Sequence, residues 1–209
     1  MRVAIIGTGN VGSAIARGLK GKGHDIILGA REPRAVAALA EETGARATSP
    51  AAAAGAAEIV ILALPWGVAE TAVKGLGDLA GKTVIDCMNP LGMVNGSLGL
   101  MVGHTTSGGE TVAGWLPGAQ VVKTLNQVGA EIMADNATLP HRPVMFMAGD
   151  DAGAKSRVAT LLTDLGFEAL DAGGLAKARL LEPLGMVWIN HAILRGKGRN
   201  WAFAAVAGH

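Results

Sequence analysis

Cysteine and tyrosine are almost missing from this sequence, which contains one cysteine, Cys87, and no tyrosine. Without tyrosine, the Tyr–Lys catalytic pair of short-chain dehydrogenases is impossible. A single cysteine excludes an intramolecular disulfide and a cysteine-rich metal site, and it argues against a zinc alcohol dehydrogenase. It is also typical of a reducing, cytoplasmic setting. We therefore expect no metal ligands, and we interpret Cys87 as a small buried apolar residue and not as a nucleophile.

Excess charge and long apolar runs are also lacking. The 18 basic and 17 acidic residues leave a net charge of +1, which provides no basic field for nucleic acid. No apolar stretch approaches the ~18 uninterrupted residues of a membrane span. The start of the chain could pass for a signal peptide, but glycines interrupt it and a strand–turn–helix accounts for every position. We expect a cytoplasmic protein that binds neither nucleic acid nor membrane.

Glycine, by contrast, is abundant, with 31 residues in 209. Gly7, Gly9 and Gly12 form an uninterrupted G-x-G-x-x-G between the apolar run 3–6 and a stretch with apolar residues at helical spacing. This context within a βαβ-sized unit is what the dinucleotide-binding fingerprint requires. The alternative is a glycine-rich turn that binds no ligand.

Each glycine of this loop has a physical role in the fingerprint. Gly7 permits the tight turn, Gly9 lets the backbone approach a pyrophosphate, and Gly12 allows the helix to pack closely on the strand. The N-terminus of the helix then offers free N–H groups to the phosphates. Thr8 and Asn10 are polar residues that could add hydrogen bonds.

The end of the second strand predicts which dinucleotide is bound. An acidic residue there would bind the ribose 2′-hydroxyl of NAD, but this chain has Gly29 and Ala30, followed by Arg31. Arg34 lies one helical turn further on. A small residue next to a guanidinium suits a 2′-phosphate, so we predict NADP(H). The alternative is that both arginines are solvated surface charges, partly neutralised by Glu32.

Strand-like and helical segments alternate along the rest of the chain, which indicates a doubly wound parallel Rossmann sheet of the α/β class. We assign residues 1–170 to this NADP-binding domain and residues 171–209 to a C-terminal helical extension. The apolar positions of the predicted helix 184–194 exceed one stripe, so the helix could pack on a partner subunit as well as on its own sheet.

Several polar or distinctive residues follow predicted strands at the carboxyl edge of the sheet, where ligands bind in open α/β folds. Pro65 and Trp66 end the strand 58–64, and Trp66 either flanks the cofactor or packs at a helix start. Asn89 follows the strand 82–86 and could hydrogen-bond the nicotinamide or its ribose. Lys123 and Asn126, in and after the strand 120–125, are candidates for the pocket wall.

Two segments without clear periodicity lie between these strands. Residues 92–109 are predicted to be a long glycine-rich loop over the active-site crevice, with His104 and the hydroxyl residues after it within reach of a substrate. A solvated histidine without a role is the alternative. Residues 130–142 are predicted to be a lid or a connection.

Four pieces of the sequence together resemble the NADPH-dependent oxidoreductases of the deazaflavin coenzyme F420, in their bacterial form. These pieces are TGNVG after the first strand, GAR after the second, LPW after the strand 58–64, and LDAG…RLLE near the C-terminus. The resemblance covers nearly the whole chain. It implies NADP(H) as cofactor, coenzyme F420 (an 8-hydroxy-5-deazaflavin) stacked near the nicotinamide, and a homodimer. The NADP(H) contacts that it implies are Thr8, Gly9, Asn10, Val11, Ala30 and Arg31, with Leu64 and Pro65 beside the cofactor.

The chain departs from the archaeal members after the strand QVVKTL, where they carry a histidine and this chain has Asn126 and Gln127. Other acceptors therefore stay open, namely a flavin, a quinone or a metal chelate. Hydride transfer between two such ring systems needs few side chains, so no catalytic residue is assigned. Reduction of a small carbonyl or imine would need a proton donor, with Lys123, Asp86 and His104 as candidates. A non-catalytic NADP(H)-binding sensor is the alternative from another class.

Overall fold

The computed structural model describes residues 1–206 of the chain. Its strands are β1 Arg2–Ile6, β2 Asp25–Gly29, β3 Arg46–Thr48, β4 Ile59–Leu62, β5 Thr83–Asp86, β6 Leu91–Val94, β7 Ser97–Leu100, β8 Gln120–Lys123, β9 Val144–Gly149 and β10 Glu168–Asp171. Its helices are α1 Asn10–Gly18, α2 Ala37–Thr43, α3 Pro50–Ala56, α4 Trp66–Lys74, α5 Gly108–Trp115, α6 Ala130–Ala134, α7 Ala152–Asp164 and α8 Ala178–Ile189.

The main sheet has the order β10-β9-β8-β5-β4-β1-β2-β3. Six adjacent strands of this sheet run parallel to one another, namely β8, β5, β4, β1, β2 and β3. This arrangement confirms the predicted doubly wound fold. The outer strands β9 and β10 run the opposite way. The reason is that β9 starts beside the end of β8, where Gln127 exchanges two hydrogen bonds with the backbone of Phe146. A strand that starts there can only run antiparallel.

Alternate residues of the central strands pack on opposite layers of helices. Val3 and Ile5 of β1 face the layer of α1, α6 and α7, while Ala4 and Ile6 face the layer of α3, α4 and α5. All four are essentially inaccessible to solvent. Burial on both faces explains why β1 is a continuous apolar run and not an alternating one.

The predicted loop 92–109 is wrong in its first half, because residues 91–100 form the antiparallel hairpin β6–β7. Its two-residue turn is Asn95 and Gly96, with φ of 49° and 80°. Two successive left-handed residues are what a tight hairpin turn needs, and Asn-Gly supplies them at low cost. Residues 101–107 after the hairpin contain neither helix nor strand.

The first part of the segment 130–142, predicted as a lid or a connection, is a packed helix. Its helix α6 buries Ile132 and Met133. Helix α1 approaches so closely that a Cβ on Gly18 would lie 2.4 Å from the carbonyl oxygen of Met133. Such close backbone packing makes α6 a part of the core layer.

The predicted helix 184–194 is continuous with a helical segment before it, because α8 begins at Ala178 and continues through Pro183 into a π-helical turn over Asn190–Leu194. Its buried residues recur every three or four positions, which is the stripe of a helix laid on the sheet. They include Leu181, Glu182, Gly185 and Trp188. The division of the chain after residue 170 stays a prediction, and residues 207–209 of the predicted extension lie outside the described part.

Candidate cofactor and acceptor site

The glycine loop between β1 and α1 is closed by two contacts that exclude side chains. Gly7 has a φ of 96°, and a Cβ there would lie 2.3 Å from the carbonyl oxygen of Ala63. A Cβ on Gly12 would lie 1.9 Å from the carbonyl oxygen of Gly7. Gly9 is the opposite case, since nothing lies within 4 Å of the position of its Cβ. The loop is therefore tight towards the protein and open on its outer side.

Helix α1 starts at this open side without a capping side chain. Its N-cap residue is Gly9, no side chain of residues 1–206 accepts from its first N–H groups, and the hydroxyl of Ser13 donates to the carbonyl oxygen of Thr8 (2.9 Å). Asn10 is exposed and Val11 half-buried at the first turn. Unpaired N–H groups and the helix dipole attract a phosphate at such a terminus. The cradle at Gly9 and the uncapped helix fit a pyrophosphate.

The end of β2 places small and basic residues beside this cradle. Ala30 is buried and donates its N–H to the carbonyl oxygen of Thr48 at 3.0 Å. Arg31 and Arg34 are exposed. Within residues 1–206 neither guanidinium forms a salt bridge, whereas Arg46, at the start of β3, pairs with Asp25 at the start of β2. Two cations without a protein partner at this position agree with a 2′-phosphate site.

The end of β4 borders the glycine loop. A Cβ on Gly7 would lie 3.0 Å from Cδ2 of Leu64, and Pro65 is exposed at the N-cap of α4. Trp66 stacks on Trp115 of α5 with ring centroids 5.5 Å apart. This contact supports the packing role of Trp66 between two helices.

The amides of Asn89 and Asn126 join the ends of β5 and β8. Asn126 Nδ2 donates to Asn89 Oδ1 at 2.9 Å, and Asn89 Nδ2 donates to the carbonyl oxygen of Asn126 at 2.8 Å. Leu125, immediately before Asn126, is buried with a φ of 55°, a left-handed conformation that is costly for a leucine. The structure thus brings together Asn89, the predicted nicotinamide contact, and Asn126, a predicted residue of the pocket wall, and backbone strain at Leu125 accompanies them.

Lys123 is fully buried and does not line the pocket. Its Nζ lies 2.9 Å from Asp86 Oδ2 and 3.0 Å from Glu182 Oε1, and it also donates to the carbonyl oxygen of Met88. An ammonium has three donors, so all of them are used. Burial alone would lower the pKa of Lys123, but Asp86 and Glu182 outweigh it and raise the pKa above its usual range. Lys123 and Asp86 are therefore poor proton donors to a substrate.

Glu182 is a site residue for which sequence analysis gave no role. Its carboxylate accepts hydrogen bonds from the N–H groups of Gly108 (2.9 Å) and Gly109 (3.0 Å) at the start of α5. It lies in the segment RLLE, and the only signal was an acidic residue among the apolar positions of α8. Its partner Lys123 is far away in sequence, so no local pattern indicates the pair.

The remaining candidates, His104 and Cys87, form no hydrogen bond with this cluster through their side chains. His104 is exposed, with a left-handed φ of 57°. Cys87 is buried, and burial, followed by the Asp86 carboxylate, raises the pKa of its thiol well above the usual range. Within residues 1–206 no group of three metal-ligating side chains is present, and no helix is long and apolar enough to cross a membrane.

A cavity of about 370 Å³ lies elsewhere, around Gln120 at the start of β8 and Asp150 after the end of β9. Because β8 and β9 are antiparallel, both positions are at the opposite edge of the sheet from the glycine loop. The cavity is therefore not the cofactor cradle, which is an open groove.

The doubly wound sheet, the glycine cradle at its carboxyl edge and the basic end of β2 define a dinucleotide-dependent oxidoreductase fold. Comparison with known proteins agrees. The family model described as NADP oxidoreductase coenzyme F420-dependent matches residues 2–90. A crystal structure from Arthrobacter sp. FB24, provisionally named an F420-dependent NADP reductase, is 35% identical, with a TM-score of 0.88 over 99% of this chain and 100% of that one.

Two curated proteins are also similar. Metalloreductase STEAP3 of Rattus norvegicus is 29% identical over 184 residues, which are 88% of this chain. This chain spans only 36% of the length of that relative. The F420-dependent NADP reductase of Methanothermobacter marburgensis is 26% identical over 91% of this chain and 92% of that protein.

The chain belongs to the coenzyme F420-dependent NADP oxidoreductase family. It is an NADP-dependent oxidoreductase, and NADP(H) is its cofactor.

Proposed function

We propose that this protein transfers a hydride between NADPH and a planar redox acceptor, and that the acceptor is coenzyme F420. The observation that carries the proposal is the set of groups at the carboxyl edge of the sheet. A phosphate cradle at Gly9 follows β1, and the linked amides of Asn89 and Asn126 follow β5 and β8 at the same carboxyl edge of the sheet. Lys123, at the end of β8, has no free donor. A site that orients rings without a proton donor suits transfer between two coenzymes.

The cofactor half of the proposal assigns the following contacts. The pyrophosphate lies on the glycine loop and the start of α1, the adenosine 2′-phosphate lies at Arg31 and Arg34, and the nicotinamide end lies towards Asn89. The complete set of proposed contacts is Gly7, Thr8, Gly9, Asn10, Val11, Gly12, Ala30, Arg31, Arg34, Leu64, Pro65 and Asn89.

When bound, NADPH supplies the hydride from its nicotinamide ring. The chain holds the two rings in contact and keeps water out of the gap between them. The acceptor lies beside the Asn89–Asn126 pair, under residues 91–107. Exposed Met93 and Met101 give this segment an apolar surface towards solvent, which suits contact with a flat ring.

A metal chelate is the second candidate acceptor, because the rat metalloreductase is among the relatives at 29% identity. Reduction of a small carbonyl or imine is less well supported, since Lys123 and Asp86 are bound to each other and only the exposed His104 is left as a donor. A non-catalytic sensor would bind NADPH without turnover.

The test is NADPH oxidation by the purified protein with oxidised coenzyme F420, FMN, a quinone and a ferric chelate in parallel. Turnover that is fastest with F420 supports the proposal. If turnover is faster with another of these compounds, that compound and not F420 is assigned as the acceptor. Tight NADPH binding without turnover in any assay would identify a sensor. A Gly9→Ala variant is the control, because loss of NADPH binding must abolish whichever activity is seen.

The proposal includes a cytoplasmic homodimer, as the family resemblance implies. The outer face of the C-terminal helix supports it, since Leu180, Val187, Ile193 and Leu194 are all exposed apolar residues. A patch of this kind is typical of protein–protein contact. Light scattering on a sizing column tests the dimer, and a monomer at micromolar concentration would contradict it.

A further inference from the structure

One buried ammonium joins both ends of the segment 89–107, which carries the β6–β7 hairpin and which we call the hairpin segment. Lys123 Nζ donates to the carbonyl oxygen of Met88, immediately before the segment. The same Nζ lies 3.0 Å from Glu182 Oε1. Glu182 in turn accepts from the N–H groups of Gly108 and Gly109, immediately after the segment. Both ends of the hairpin segment are thus within two contacts of a single atom.

The other partners of this network hold it in place. Asp86 accepts from the N–H of Met88 at 2.9 Å through Oδ1 and from Lys123 through Oδ2. Asp86, Lys123 and Glu182 are each no more than 1% exposed. One cation between two carboxylates leaves one negative charge, and the N-terminus of α5 faces that charge. The network is closed, because no buried side-chain polar atom within residues 1–206 lacks a partner.

Packing at the end of the segment leaves little freedom for movement. A Cβ on Gly108 would lie 3.0 Å from Glu182 Oε1, 3.3 Å from Pro90 and 3.3 Å from Trp66. Pro90 is the second residue of the hairpin segment and Gly108 follows its end, so the two ends lie side by side. Between them, the tip of the hairpin is exposed, with Met93 at 70% exposure, while Leu91 and Leu98 pack against Trp188 and Ile189 of α8. The position of a segment with a solvated tip is set by the contacts at its two ends.

The same network also reaches the linked amides. Glu182 and Gly185 lie on one face of α8, one helical turn apart. A Cβ on Gly185 would lie 2.6 Å from the carbonyl oxygen of Asn126 and 3.0 Å from Asn89 Oδ1. Helix α8 therefore ties the anchors of the hairpin segment to the strand ends where the nicotinamide is proposed to lie.

We propose that Lys123 and Glu182 are positioning residues that clasp the two ends of the hairpin segment and hold the β6–β7 hairpin as the wall of the acceptor site. This inference rests on the proposed function for the identity of the site. The network touches neither the glycine loop nor the end of β2, so its loss should weaken the acceptor site more than the binding of NADPH.

The test compares Glu182→Gln with Glu70→Gln. The control makes the same substitution in an exposed ion pair with Lys74, on α4. In Glu182→Gln we expect faster hydrogen–deuterium exchange in residues 89–109 with NADP⁺ bound, and a Kd for NADPH that rises far less than the KM for F420. With oxidised F420 as the probe, we expect KM to rise about tenfold and kcat to fall less, because misplacement of a binding wall costs orientation. The control should match the wild type.

Unchanged exchange in residues 89–109 would overturn the proposal, as would an equal loss of NADPH and F420 binding. If Glu182→Gln does not fold, Gly108→Ala replaces it, because its Cβ presses on Glu182 and Pro90 without removing a charge. The same outcomes then decide. Failure of the proposed function is a separate result. If the wild-type protein does not turn over F420, F420 is not its acceptor, while hydrogen exchange and NADPH affinity still test the positioning role of Lys123 and Glu182.

Discussion

The side chains of Asn89 and Asn126 bind each other across the ends of two neighbouring strands, with Asn126 Nδ2 2.9 Å from Asn89 Oδ1. Asn89 Nδ2 completes the pair at the carbonyl oxygen of Asn126. Asn126 Nδ2 also donates to the carbonyl oxygen of Leu181 in α8. The pair links β5, β8 and α8 at the edge where the nicotinamide is proposed to lie.

Loss of the Asn89 amide should weaken the fold as well as the activity. Asn89→Ala leaves the carbonyl oxygen of Asn126 without its donor, and an unsatisfied buried acceptor costs about 1–3 kcal/mol. Urea unfolding without cofactor measures this cost. Asn200→Ala, at an exposed position, should leave the free energy of unfolding unchanged. Equal stability of the two variants would contradict the structural role of the pair.

Gly9 and Gly12 should separate cofactor binding from folding. Gly12→Ala places a Cβ 1.9 Å from the carbonyl oxygen of Gly7. Overpacking of this kind typically costs about 1–3 kcal/mol in the free energy of unfolding. Gly9→Ala meets nothing within 4 Å, so its stability should be that of the wild type. Its Kd for NADPH should nevertheless rise, because the added methyl group occupies the path of the pyrophosphate.

Thermal unfolding and NADPH titration of the same two proteins check this pair of expectations. If Gly9→Ala binds NADPH with the affinity of the wild type, the pyrophosphate does not lie on the glycine loop.

Arg31 should determine the preference for NADPH over NADH. Its removal in Arg31→Ala should weaken NADPH binding by about 10- to 100-fold, the value of a charge-assisted hydrogen bond of about 1.5–3 kcal/mol. NADH binding should hardly change, because NADH carries no 2′-phosphate. Arg34→Ala should show a smaller effect in the same direction. Arg46→Ala is the control, since Arg46 begins β3 at the other edge of the sheet. An equal fall in both affinities would disprove the 2′-phosphate site.

Acid should loosen the attachment of α8 through Glu110. The Arg179 guanidinium, and then the Ser107 hydroxyl, lower the pKa of the Glu110 carboxyl below its usual value of about 4.3. The unfolded chain therefore takes up the proton first as pH falls. The stabilisation by this pair is complete above the unfolded pKa and disappears as pH falls through the lowered folded pKa.

Glu110→Gln should consequently show a lower free energy of unfolding than wild type near neutral pH, and the difference should shrink with acid. Urea titrations from neutral pH into strong acid measure it. Glu41→Gln, at an exposed position on α2, is the control. A difference that stays constant with pH would mean that the Glu110 charge contributes nothing.

The hairpin shows what a local signal could have predicted. Asn95-Gly96 stands between apolar residues and is a strong sign of a two-residue hairpin turn, yet the abundance of glycine around it favoured a loop. The short β3 had no such sign, since Arg46, Ala47 and Thr48 do not form an apolar strand pattern. Pairing with β2 in parallel register makes it a strand.

Lys123 shows the opposite case. It broke the apolar pattern of its strand, which predicted a polar wall. Only the fold brings Glu182 and the carbonyl oxygen of Met88 to its ammonium group, and these partners turn a candidate proton donor into a closed ion network. Local sequence does not encode such a contact, because Lys123 lies on β8, Met88 follows β5 and Glu182 lies on α8.

The sequence by itself determined the doubly wound sheet, the glycine cradle and the basic end of β2, because each depends on residues that are neighbours in the chain. Tertiary structure alone decided what lies at the acceptor side. The Asn89–Asn126 pair, the Lys123–Glu182 network and the position of α8 arise where the ends of β5 and β8 meet a distant helix. Contacts between distant segments depend on packing, and packing is a property of the folded chain.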